Sequence, residues 1–96
     1  MTRISQNDLQ ARVNRINRTL GRSEEPYQSE RGPNGELRGN PGTYKLDGAY
    51  GGWALNRMAQ DGGTGESGVL ERGPARDLYD RMGAMLAGIE AAQSDR

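Results

Sequence analysis

The chain has 96 residues, thirteen basic side chains balanced by thirteen acidic ones, and neither histidine nor cysteine. Those two absences remove the usual zinc and iron–sulfur ligand sets, thiol nucleophiles, Ser-His-Asp triads and disulfide staples, so any enzyme here would have to run on carboxylates, Lys, Tyr or Ser. Leu, Ile, Val and Phe together number only thirteen, below the share of about 20% that marks a core-poor chain, and the expectation is a homo-oligomer whose apolar helix faces are completed by a second copy.

The first predicted element is a helix over 6–20. Ser5 stands at its N-cap with Asp8 at the third helical position of a capping box, and Ile4 and Leu9 sit where a hydrophobic staple would. Leu9, Val13, Ile16 and Leu20 repeat at four, three and four residues to form an apolar seam, and Gly21 supplies a left-handed C-terminal cap. Residues 1–22 carry five Arg against one Asp, while residues 23–96 carry eight basic against twelve acidic side chains. Within that basic segment Arg12, Arg15, Arg18 and Arg22 make a stripe able to meet phosphates. A solvated helix face explains it better, because a duplex-binding domain usually has a clear positive excess.

Residues 22–46 read as loop with a short hairpin. Pro26, Pro33 and Pro41 block long helices, Asn34-Gly35 offers a tight turn, and Thr43-Tyr44-Lys45-Leu46 alternates as a short strand that would pair with Glu36-Leu37-Arg38. Asp47 then caps a second predicted helix over 48–60, ended by Gly62-Gly63. Gly51 and Gly52 inside it each give up about 1 kcal/mol of helix propensity relative to Ala, which calls for close packing or room for a ligand. Residues 61–73 read as a Gly-rich loop, with Val69 and Leu70 anchoring back to the core. The G-x-G at Gly63 and Gly65 lacks the Lys-Ser/Thr pair of a phosphate loop. A third helix over 74–92 opens at Pro74 and carries Leu78, Met82, Met85, Leu86 and Ile89.

The expected architecture is therefore one small α+β domain of three helices, with a short β-hairpin between helices 1 and 2, and oligomeric. No run approaches the length needed to span a bilayer, and the N-terminal residues form no apolar leader. With no disulfide framework in so small a domain, a soluble cytoplasmic protein without a membrane partner is expected.

Function is expected in the stretch from Asn40 to Met58, which holds four of the fifteen glycines and three of the five aromatic side chains. Backbone without Cβ approaches a partner closely and Tyr or Trp faces stack on it, a composition suited to a binding surface. The pattern Asn40-x-Gly42-x-Tyr44-x-Leu46-x-x-Ala49-Tyr50-Gly51-Gly52-x-x-Leu55-x-x-Met58, followed by Gly62-Gly63, resembles a widespread set of small accessory proteins encoded by tailed bacteriophages. The likeness extends to the leading amphipathic helix, to the Pro26-Tyr27 step before the Asn-Gly turn, and to a final helix after a Gly-rich loop. Pro41 and Thr43 depart from the pattern, which leaves the local turn type open.

Small oligomeric phage proteins of this size include sponges that sequester the nucleotide signals of bacterial immunity. The resemblance thus implies a counter-defence protein of the host cell cytoplasm that holds a cyclic oligonucleotide or ADP-ribose type signal without cleaving it, with no cofactor, metal or catalytic residue. Such a site needs aromatic platforms, phosphate-neutralising cations and freed backbone amides. Tyr27, Tyr44, Tyr50 and Trp53 are the candidate platforms, Arg38, Lys45 and Arg57 the candidate cations, and Gly51-Gly52, near a helix N-terminus, the candidate amides. Tyr44 and Trp53 also read as the largest core residues of a Phe-free domain.

Two other readings use the same residues differently. A protein-binding inhibitor would anchor on the same Tyr, Trp and Arg side chains, and a nucleic-acid-binding regulator would use Arg12, Arg15 and Arg18. For an enzyme, Glu24, Glu25, Glu30, Asp47, Asp61 and Glu66 are the available carboxylates, but nothing in their spacing pairs two as acid and base.

Overall fold

The computed structural model describes residues 3–94. Helix α1 (Gln6–Thr19) starts on a closed capping box: the Asp8 N–H donates to Ser5 Oγ at 3.1 Å, and the Ser5 N–H donates to the Asp8 carboxylate at 2.9 Å. Two of the helix's orphan donors are thereby satisfied. Leu9, Val13 and Ile16 on its seam are fully buried, and Gly21 at φ +70° turns the chain away. The chain then runs to residue 43 without a regular strand, held by an isolated bridge, Tyr27 to Gly39, and by backbone hydrogen bonds such as Gln28 N–H to the Arg38 carbonyl at 2.8 Å.

Three antiparallel strands follow in the order β1-β2-β3: β1 (Tyr44–Ala49), β2 (Gly52–Met58) and β3 (Glu66–Gly73). Helix α2 (Ala75–Ser94) closes the chain, and α1 and α2 lie side by side on one face of the sheet. The core between the layers consists of Leu9, Val13 and Ile16 from α1, Leu55 from β2, and Leu78, Met82 and Leu86 from α2. Among the described residues, no helix is long and apolar enough to cross a membrane.

The architecture corrects the sequence reading at three places. Among the described residues there are two helices, not three: residues 48–60, expected to be helical, are the end of β1, a turn, all of β2 and the two residues after it. Asp47 caps nothing; it lies in β1 opposite Ala54. Tyr44–Ala49 does form a strand, but it pairs with β2 in the register Tyr44 to Arg57 and Leu46 to Leu55, not with Glu36-Leu37-Arg38. Residues 61–73, expected to be loop throughout, contain β3 from Glu66 onward.

The reason for the first correction lies at Gly51 and Gly52, whose φ angles of +103° and +121° belong to a tight turn and not to a helix interior. Glycines that would weaken a helix here reverse the chain, and the residues beyond them alternate across a sheet. Arg12 and Arg15 of the basic stripe are also accounted for. Arg12 lies with its guanidinium 3.6 Å from the Tyr79 ring centroid and donates to the Tyr79 carbonyl at 2.9 Å, and Arg15 pairs with Glu90 at 2.9 Å. Both therefore tie α1 to α2.

The sheet's outer face is only partly open. Met58 is buried there, with its Cε against Gly39 of the 22–43 loop, and Met58 and Thr43 are joined backbone to backbone at 2.8 Å. At the start of β1, the fully buried Asn17 stands in for a neighbouring strand: its Oδ1 accepts from the Tyr44 N–H at 2.8 Å and its Nδ2 donates to the Tyr44 carbonyl at 2.9 Å. A sheet edge is thus covered by one side chain of the adjacent helix.

Candidate functional site

The turn Tyr50-Gly51 joins β1 to β2 between the paired residues Ala49 and Gly52. Gly52 faces the backbone of β3, and a Cβ at this position would collide with the Gly73 carbonyl. The same end of the hairpin is clamped by Arg72 of β3. Its guanidinium donates to the Asp47 carbonyl at 3.2 Å and to the Gly52 carbonyl at 2.9 Å, and it also forms an ion pair with the Asp47 carboxylate. Tyr50 stands at the tip of this braced hairpin, fully exposed at 106% of its reference surface.

Trp53 follows on β2, on the helix-facing side with Leu55, and is half-buried. Its ring lies across Gly48 of β1, where any Cβ would strike it. A side chain at 48 would lift the indole off the sheet; glycine lets it lie flat. The ring, Gly48, Gly52 and Leu46 border an open groove of about 520 Å³, which Gln6 and Gln10 of α1 also line. Among the described residues, no charged side chain borders it. Gln10 Nε2 donates to Asn14 Oδ1 at 2.9 Å, so its amide is held beside that of Asn14.

The remaining predicted residues lie elsewhere. Tyr44 and Arg57 face each other at the opposite end of the hairpin, with the guanidinium 5.7 Å from the ring centroid. The Gln60 side-chain amide lies against it. Lys45 is on the outer face, 3.0 Å from Glu66 and 5.5 Å from the Tyr27 ring centroid. Arg38 stays in the 22–43 loop beside Glu36 at 3.4 Å. Tyr50, Gly51, Gly52 and Trp53 are thus gathered at one end, Tyr44 with Arg57 at the other, and Tyr27 with Lys45 on the reverse side. The expected single constellation does not form, and Gly51-Gly52 sit at a hairpin turn and not at a helix N-terminus.

Electrostatics reinforce that separation. Burial alone would push the Lys45 ammonium down, but the hydrogen bond and charge of Glu66 outweigh it and hold its pKa above the usual lysine value. Glu66 is held below the ordinary carboxylate value, first by the Asn56 amide donating to it at 3.0 Å, then, against the opposing effect of burial, by Lys45. A lysine committed in this way is a structural cation. Arg57 differs, since the groups around it, the Tyr44 ring and the Gln60 amide, are neutral.

Sequence reasoning missed Gln6 and Gln10. Nothing in composition marks them, and only the helical repeat of four, which puts both on one side of α1, would have signalled that they act together. It also missed Gly48 as the seat of the indole and Arg72 as the brace of the tip. No known protein family matches the chain, and neither a curated protein nor a solved structure is similar to it.

Proposed function

We propose that this chain acts by binding and not by catalysis, as a phage counter-defence protein that sequesters a nucleotide-derived immune signal in the host cytoplasm, with the Trp53 groove as the platform for a base. The observation that carries this reading is the half-buried indole laid on Gly48, in an open groove that two side-chain amides also line. A stacking surface with hydrogen-bonding groups at its rim is what a heterocyclic base requires. The resemblance of the Asn40–Met58 pattern to phage accessory proteins supports the setting. The phosphates would lie outside the groove, whose border is uncharged. Self-association belongs to the same proposal, because an open groove on a thin domain encloses a ligand better when a second copy closes it.

Trp53 is the chain's only tryptophan, so its fluorescence reports the groove directly. Titration with a panel of cyclic dinucleotides, cyclic trinucleotides and ADP-ribose derivatives is expected to quench the indole and raise the melting temperature with at least one member. Light scattering on the same sample reads the subunit number. A panel that leaves both fluorescence and melting unchanged rejects the reading.

A second reading, direct binding of a host protein, is favoured by Tyr50. An aromatic side chain wholly exposed on a braced hairpin tip is an anchor shape common at protein interfaces. This reading expects Tyr50→Ala to abolish capture of the host protein while nucleotides leave the melting curve unmoved.

A further inference from the structure

We infer that Gln6 and Gln10 make the Trp53 groove selective for an adenine base. The inference rests on the reading of the groove as a nucleotide site and goes beyond it by naming the base and the residues that choose it.

The two glutamines are one turn apart on α1 and line the same groove as the indole. Each carboxamide offers one acceptor and one donor edge to edge. Gln10 spends one Nε2 proton on Asn14 Oδ1 at 2.9 Å, which leaves its other proton and its carbonyl oxygen for a ligand and resists rotation of the amide. One acceptor beside one donor matches adenine, whose exocyclic amino group donates next to the accepting N7. Guanine presents two acceptors on the same edge and is best met by a double donor such as Arg. Among the described residues, no Arg or Lys borders the groove. The floor fits the same ligand: Trp53 stacks on any base, so stacking supplies affinity and the glutamines supply choice.

The test uses the intact chain with AMP, GMP, CMP and UMP as probes and Trp53 quenching as readout. The wild type is expected to bind AMP about tenfold tighter than GMP, the scale of one well-formed bidentate pair. Gln10→Glu replaces the donor by a second acceptor, which suits the N1–H and N2 amino group of guanine, and is expected to reverse the order of AMP and GMP. Gln6→Ala is expected to narrow the preference. Both side chains are exposed, so the variants should keep the wild-type circular dichroism and melting temperature. If the four nucleotides quench equally, or Gln10→Glu leaves the order unchanged, base selection by the glutamines is wrong while the groove remains a nucleotide site. If none of the four quenches but a cyclic or ADP-ribose ligand does, its adenine and guanine forms replace AMP and GMP in the comparison and equal quenching overturns the selection, whereas silence from every nucleotide removes the groove reading itself.

Discussion

The two ends of the β1–β2 hairpin are built from the same kinds of residue and come to opposite states. At the closed end, Tyr50 is exposed, Trp53 is half-covered, and the glycines set the turn and the seat of the indole. At the open end Tyr44 is pinned by Asn17, Lys45 is neutralised by Glu66, and Met58 is sealed beneath the 22–43 loop. What separates them is which neighbours remain to cover them. The open end receives a loop and a helix side chain; the closed end projects past both. An aromatic residue in a Gly-rich motif is therefore a binding candidate only where the fold runs out of structure to pack on it.

The largest expected effect breaks the closed end. Gly52→Ala must both accept φ +121° and move the Gly73 carbonyl, and a destabilisation of at least about 3 kcal/mol is expected, since strain and collision add. Gly51→Ala is the control. Its φ is +103°, but only Arg72 Cδ lies near its Cβ position, at 3.8 Å, so strain alone should cost about 1–2 kcal/mol. Urea denaturation of the two variants measures the difference, and equal losses would mean that β3 does not press on the tip.

That pair also explains what was legible in the sequence. α1 was readable because its signals are local: Ser5 and Asp8 close a box three residues wide, and the seam recurs within one helix. β2 was not, because Ala54, Leu55 and Met58 are buried on both faces of the sheet, Leu55 by the helices and Met58 by a loop distant in sequence. The period-two alternation that marks a half-buried strand is erased by that double cover. β3 was hidden differently: its register against β2 shifts twice, between the partners of Trp53, Leu55 and Asn56, and such bulges break alternation. The site was legible as a stretch but not as a constellation, since a helix places residues 50, 53 and 57 on one side whereas a hairpin strings them along its length.

The next effect tests the open end. Asn17→Ala leaves the Tyr44 N–H and carbonyl without the partners they have at 2.8 and 2.9 Å, and a loss of about 2 kcal/mol or more is expected from two stranded peptide groups. The loss should fall on the open end, with faster hydrogen exchange in β1 near Tyr44 and little change near Gly52. Uniform acceleration would contradict a local role for Asn17.

A smaller effect is expected from pH at the same end. Glu66 has a folded pKa below its ordinary 4.5, so its contribution is complete above that value and is lost as pH falls through the folded pKa. Lys45 has a folded pKa above its ordinary 10.5, so its contribution is complete below that value and is lost as pH rises through the folded one. Being partly solvated, the pair should contribute no more than about 1 kcal/mol. Urea midpoints for wild type and Glu66→Gln should differ at pH 7 and converge toward pH 3. Asp8 and Glu36, which are also held below their ordinary values by hydrogen bonds from Ser5 and from the Glu36 and Asn34 backbone, keep some acid sensitivity in the variant.

The smallest expected effect on stability is at the tip, and it is the one that separates binding from folding. Tyr50 covers nothing, so Tyr50→Ala should shift stability by no more than about 0.5 kcal/mol. Trp53→Ala removes a partly packed ring and should cost more, because the indole contacts the core as well as the groove. The ratio of the two binding losses then identifies the working surface. A ligand held in the groove loses most with Trp53→Ala and little with Tyr50→Ala; a partner that grips the hairpin tip loses most with Tyr50→Ala at unchanged melting temperature. A Tyr50→Ala variant that melts several degrees lower would show instead that the side chain folds back onto the protein, and the contrast between the two ends of the hairpin would fail at its most exposed residue.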